Sequence, residues 1–205
     1  MTLPALKQLF ATLPGPYALR IGQEYTPEMD YPRQEAFPEA NHSGSNRDVY
    51  DDRAWHLAIY YVEQLAAYSR LIPGPDGFFK KLTASPLLVD SAAATDWSRL
   101  VVPATFRSLG LPEVMGLAAL VVARALGERY VHVAANPERQ LAKMLYQLEF
   151  EAVDLPITVN VHPGISFSLQ LHTCDLHSLS YLPEERLANT WHQLGMASMS
   201  PKNLA

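Results

Sequence analysis

From Trp55 to Ile72 the chain reads WHLAIYYV, then Glu63 and Gln64, then LAAYSRLI. Two runs of β-branched, aromatic and aliphatic residues joined by only two residues predict an antiparallel hairpin with a tight turn at Glu63–Gln64. No other segment narrows the fold as much, because the rest of the chain must supply neighbours and cover for this ribbon. Upstream, Tyr17 to Ile21 reads as a first strand. Glu28 to Glu39, broken by Pro32 and Pro38, reads as a short helix and an irregular loop. Asn41 to Arg47 (NHSGSNR) is the most solvent-like stretch. Downstream come a Pro-Gly break at Pro73 to Gly77, a short amphipathic segment FFKKL, and a small-residue loop SAAAT before a strand from Trp97 to Val102. Leu111 to Leu126 is a helix, with Pro112 in its first turn and Gly127 at its end. Tyr130 to Ala134 is a strand, Pro137 to Leu148 a helix, and Ile157 to Val161 and Ile165 to His172 are two closing strands.

A meander followed by helix, strand, helix and strands predicts an α+β fold of three layers, a mixed and mostly antiparallel central sheet flanked by helices. This element order resembles the N-acyltransferase superfamily called GNAT. Order alone is no warrant for chemistry.

Composition bounds the function. The chain has 205 residues, 48% of them hydrophobic, enough for one core without staples. The single cysteine, Cys174, rules out an internal disulfide framework and a Cys-rich zinc site, and suits a reducing cytoplasm. Sixteen Lys and Arg against 21 Asp and Glu leave a charge of −5, which argues against a nucleic-acid binder. No signal-type leader is read in the first 20 residues, and the apolar stretch Val114 to Leu126 contains Arg124 and is shorter than the roughly 20 residues a bilayer needs. The expectation is one cytoplasmic domain over residues 1–205, with an N-terminal helix or arm over 1–16 and a C-terminal extension over 176–205. The seven histidines include no i, i+4 pair and no H-E-x-x-H, so no metal is expected. No G-x-S-x-G occurs, which removes the usual hydrolase reading.

Charge recurs inside otherwise apolar segments. Arg33 and Phe37 are four apart, on one face if their segment is helical. Asp48, Asp51 and Asp52 enter the first hairpin strand, Arg70 lies in the second, and Asp96-Trp97-Ser98-Arg99 opens the next strand. Strand alternation puts Asp96 and Ser98 on one face and Trp97 and Arg99 on the other, unless a bulge intervenes. Buried charges need partners. Such a set is either an internal ion network pinning the N-terminal arm to the sheet, or a site for a small zwitterion, with carboxylates for its amine and arginines for its carboxylate.

The series Arg33-x-x-x-Phe37, Asp48-x-Tyr50-Asp51, Arg70 in SRLIP, and Asp96-Trp97-Ser98-Arg99-Leu100 resembles the motif series of the acyl-homoserine-lactone synthases, which runs R-x-x-x-F, D-x-[FY]-D, a strand Arg, and E-x-S-R-F. The resemblance spans about Tyr17 to His172. Asp96 stands where that family has Glu, Leu100 where it has Phe, and a Trp after the first motif is absent. The related N-acyl amino acid synthases, which share the scaffold, therefore stay open as an alternative, as does a non-catalytic module that binds acyl carriers. The resemblance implies that Arg33, Asp48, Asp51, Arg70 and Arg99 shape a substrate pocket with Phe37 packed over it, and that Trp97, Leu100 and Val101 line it. It implies an acyltransferase joining S-adenosylmethionine to an acyl thioester, with no tightly bound cofactor. An ammonium must lose a proton before it attacks, and Asp96 is the candidate base, with Arg99 beside it. Strand N–H groups around Leu100 to Val102 are the candidate donors to the oxyanion.

The thioester donor, acyl carrier protein or coenzyme A, leaves weaker marks. Arg107-Ser-Leu-Gly110-Leu-Pro112 is a degenerate pyrophosphate loop, since Pro112 has no N–H to offer an anion. Arg139 and Lys143, four apart, with Lys80 elsewhere, are candidates for docking an acidic carrier; a solvated helix face is the plainer meaning.

Overall fold

Among the described residues seven strands form one sheet, in the order β1-β2-β3-β4-β5-β7-β6. The computed structural model describes residues 4, 15–36, 47–74, 93–162 and 165–198. Its strands are β1 (Tyr17–Gly22), β2 (Trp55–Tyr61), β3 (Gln64–Pro73), β4 (Ala94–Val101), β5 (Tyr130–Ala135), β6 (Glu151–His162) and β7 (Ile165–Asp175). The helices are α1 (Asp30–Ala36), α2 (Leu111–Ala125), α3 (Gln140–Gln147) and α4 (Pro183–Ser198). Every strand pair is antiparallel except β4 with β5. The expected α+β architecture is therefore present. Phe37, most of the 1–16 arm, the loop from 41 to 46, the FFKKL segment with Lys80, and residues 199–205 lie outside the described residues.

The hairpin forms one residue away from its expected register. Tyr61 faces Gln64, so the turn residues are Val62 and Glu63, and Val62 takes a positive φ of 58°. A β-branched residue there is unfavourable. The Val62 N–H donates to the Pro16 carbonyl at 2.8 Å, which ties the turn to the segment entering β1.

Helix α2 is the centre of the main core. Val114, Met115 and Leu117 to Ala123 are all fully buried, so this helix reads as apolar on every side. Gly110 precedes it with a φ of 76° and Gly127 follows it with a φ of 84°, both left-handed positions where glycine costs least. Inside it, a side chain at Gly116 would overlap Leu148 and press on the Trp97 ring at 3.2 Å. Glycine is thus the residue that lets α2 approach β4. Within 176–198, Leu176, Leu187, Trp191 and Leu194 belong to the same core.

Two irregularities of β4 set up the site. The parallel pairing of β4 with β5 covers only Ala94–Tyr130, Thr95–Val131 and Asp96–His132. Beyond Asp96 the two strands part; β4 continues beside β3 and β5 beside β7, leaving a wedge whose two edges carry backbone groups unused by the sheet. Second, Tyr68 faces Val101 while Arg70 faces Ser98, so β4 holds one extra residue, and Arg99 in that bulge has a φ of 57°.

Candidate active site

Residues opposite one another in neighbouring strands share a face. His56, Arg70 and Ser98 lie in one such row, and Ile72, Asp96 and His132 in the next. This face carries the charge. The other face, with Leu71, Trp97 and Val131, meets α2 and forms the main core.

Arg70 projects from the middle of β3, only 4% exposed. Its Nη1 donates to Asp48 Oδ1 and to Asp51 Oδ1, each at 2.6 Å, its Nη2 donates to Asp48 Oδ2 at 2.9 Å, and its Nε donates to Ser98 Oγ at 3.1 Å. Arg33, wholly buried on α1, reaches Asp51 from the other side, with Nη1 at 3.1 and 3.0 Å from the two carboxylate oxygens. The rings of Tyr25 and Tyr68 flank its guanidinium at 5.2 and 5.8 Å. Asp48 and Asp51 bracket a turn that runs into a short 3-10 segment, Asp51–Arg53. There the Asp48 N–H donates to Asp51 Oδ2 at 2.7 Å and the Tyr50 N–H to Asp48 Oδ1 at 2.9 Å. The D-x-Y-D spacing thus lets one turn present two carboxylates to two arginines.

Regular alternation would send Arg99 to the core face with Trp97. The bulge turns it back, and its Nη2 donates to Asp48 Oδ2 at 3.2 Å. A strained, non-glycine left-handed residue is held here by its surroundings, a pattern that clusters at functional sites. Asp96 sits at the vertex of the wedge, 4% exposed, on the charged face. The structure therefore brings Arg33, Asp48, Asp51, Arg70 and Arg99 into one connected ion network, with Asp96 one row away on the same face.

Burial alone would raise the Asp48 carboxyl; the Arg70 guanidinium, the Tyr50 N–H and Arg99 outweigh it and hold it below the ordinary carboxylate value. For Arg99, burial and then repulsion by Arg70 and Arg33 lower the guanidinium, with Asp48 opposing.

Other expected site residues are placed elsewhere. Trp97 is 1% exposed on the core face, with its ring 6.2 Å from Phe150, and Leu100 packs against the same core. Neither joins the network, because alternation about the bulge points both toward α2. Val101, opposite Tyr68, is buried on the charged side. Arg139 is the extended N-cap residue of α3 and Lys143 is exposed one turn into it, so the pair does not lie on a common helical face. Cys174 is buried, which together with Glu149, Asp175 and Glu151 pushes its thiol up to about 12 and leaves it no thiolate near neutrality. Among the described residues no cluster of three or more His, Cys, Asp or Glu could hold a metal ion. No described helix is long and apolar enough to cross a membrane.

Ser98, part of the Asp96–Leu100 motif, joins the site by accepting from Arg70 Nε, whereas His56, Tyr25 and Tyr68 were not legible as parts of it. His56, 1% exposed, bonds Tyr68 Oη through Nδ1 at 2.8 Å and the Asp51 carbonyl through Nε2 at 3.1 Å. The signal that finds them is the register of the hairpin, which sets His56 opposite Arg70.

The sheet order and the flanking helices make a GNAT-like fold. Solved structures share it. The AHL synthase LasI superposes with a TM-score of 0.61 at 15% identity, covering 80% of this chain and 91% of that one. An N-acetyltransferase from Staphylococcus aureus Mu50 gives 0.57 at 13% identity, over 78% and 98%. The CoA-dependent acyl-homoserine lactone synthase BjaI, solved with MTA, gives 0.54 at 19% identity, over 80% and 78%. At such identities the likeness is one of fold. No protein-family profile and no curated protein sequence matches the chain.

Proposed function

We propose that the protein is an acyltransferase of the acyl-homoserine-lactone-synthase type, joining the amine of S-adenosylmethionine to an acyl thioester and releasing methylthioadenosine. One observation carries the reading: the Arg33–Asp51–Arg70–Asp48–Arg99 network sits on the sheet face beside the wedge where β4 leaves β5. Three arginines against two aspartates give 3 − 2 = +1, which suits a substrate carboxylate, and Asp96 adds an acceptor for its ammonium.

In the proposed reaction Asp96 takes a proton from the ammonium, directly or through water, and the freed amine attacks the thioester carbonyl. Backbone N–H groups along Leu100 to Val102, on the β4 edge that β5 does not use, stabilise the oxyanion. The C–S bond breaks, the thiol leaves with a proton, and an amide remains. The substrate carboxylate then displaces methylthioadenosine from its own γ-carbon, closing the lactone. Arg70 and Arg99 orient that carboxylate, and positioning accounts for most of this step. The donor is an acyl-carrier-protein or coenzyme A thioester; Pro112 at the start of α2 removes one N–H from the usual pyrophosphate cradle, which suits the carrier protein.

The test is to incubate the protein with S-adenosylmethionine, mixed amino acids and a panel of both thioester kinds, then identify products by mass. Methylthioadenosine with an acylated lactone is expected. An open-chain N-acyl amino acid without methylthioadenosine would overturn the lactone reading, and thioester binding without product would leave only a binding module.

A further inference from the structure

His56 lies behind the ion network and none of the steps above uses it. Its Nε2 faces the Asp51 carbonyl, which can only accept, so Nε2 carries the proton and Nδ1 accepts from the Tyr68 hydroxyl. Asp51 is thereby held at two points, by His56 through its main chain and by Arg33, Arg70 and the Asp48 N–H through its carboxylate. We propose that His56 is a positioning residue for this site, whose neutral Nε2–H tautomer fixes the Asp51 turn in the orientation that clamps Arg33 and Arg70.

The groups packed against the ring make protonation a disruption. Tyr25 meets it edge-on at 5.5 Å from the segment after β1, Tyr68 stacks on it from β3, Asp51 faces it from the turn, and Arg70 and Arg33 approach from β3 and α1. A proton on Nδ1 would remove the acceptor for the Tyr68 hydroxyl and set a cation beside two guanidinia. Burial first, then Arg70 and Arg33, lower the imidazole below its ordinary value, against Asp51. The clamp therefore holds at neutral pH and loosens when the ring is protonated below the ordinary value of 6.5.

Only the choice of ligand in the test rests on the function proposed above. With full-length protein carrying ¹⁵N-histidine and ¹⁵N-arginine, NMR near neutral pH is expected to show His56 protonated at Nε2 alone, and the Arg33 and Arg70 side-chain N–H signals to move with the His56 titration. An Nδ1–H tautomer, or a titration that leaves those signals in place, would overturn the proposal. Binding of S-adenosylmethionine by calorimetry is the second readout. His56→Leu should weaken it about tenfold or more. His56→Gln, which keeps one donor and one acceptor but cannot titrate, should restore it and abolish the loss of affinity at acid pH. A His56→Gln protein that follows the wild-type acid dependence would overturn the proposal. Absence of any binding by the wild type would count against the proposed substrate, and the NMR experiment would still decide the role of His56.

Discussion

Asp96 is the proposed base, and one substitution separates its charge from its shape. Asp96→Asn keeps the shape of a residue that is 4% exposed and removes its basicity. Turnover should fall by about a hundred- to ten-thousandfold with the far-UV spectrum and unfolding midpoint preserved. Near-normal rates would remove Asp96 as the base. The charged residues were legible in the sequence because an arginine or aspartate inside an apolar strand demands a partner, and the partners were visible at Arg33, Asp48, Asp51, Arg70 and Arg99. His56 was not, since a histidine in an apolar run is indistinguishable from a packed one until its register is known. With a turn at Glu63–Gln64 and an unbroken register, His56 would face Leu71 on the core side; the observed turn at Val62–Glu63, together with the register shift between Ile59 and Tyr60, sets it opposite Arg70. One residue of slip moves it from one face to the other.

Among the elements, strands and helices followed from periodicity, and their irregularities did not. Neither turn residue of the hairpin is a favoured glycine or asparagine, so nothing local marked Val62 as the residue with positive φ. The β4 bulge is likewise a product of tertiary demand: Arg99 is pulled from the core face by Asp48, and no residue in Ser98-Arg99-Leu100 announces it. The start of β4 at Ala94 rather than Trp97 follows from pairing with β5, a long-range contact. Helix α2 carries the prediction at this scale. Gly116→Ala should destabilise the protein by about 1–3 kcal/mol, because Leu148 and Trp97 must both give way. Urea unfolding measures it, and a neutral or stabilising result would show that the packing of α2 on β4 is looser than described.

Over the whole molecule, the acidic charge balance resolves into a surface and an interior with different roles. Part of the charge is internal, where Arg33, Arg70, Asp48 and Asp51 hold the segments before β2 onto the sheet. The pH dependence of stability has a second interior source in His132, 3% exposed on β5, where burial lowers the imidazole from 6.5 to about 4. The neutral ring is favoured in the fold, so its contribution is complete above 6.5 and is lost as pH falls from 6.5 toward about 4. That is at most about 3 kcal/mol. Urea midpoints at the two ends of this window should differ less in His132→Phe than in the wild type; equal differences would assign the acid sensitivity to other groups. The central claim is that one site couples acyl transfer to departure of methylthioadenosine. Its most direct measurement is the ratio of methylthioadenosine to free thiol released from S-adenosylmethionine and an accepted acyl thioester. The two should appear in equal amounts and fall together in Asp96→Asn, whereas thiol released without methylthioadenosine would contradict the coupling.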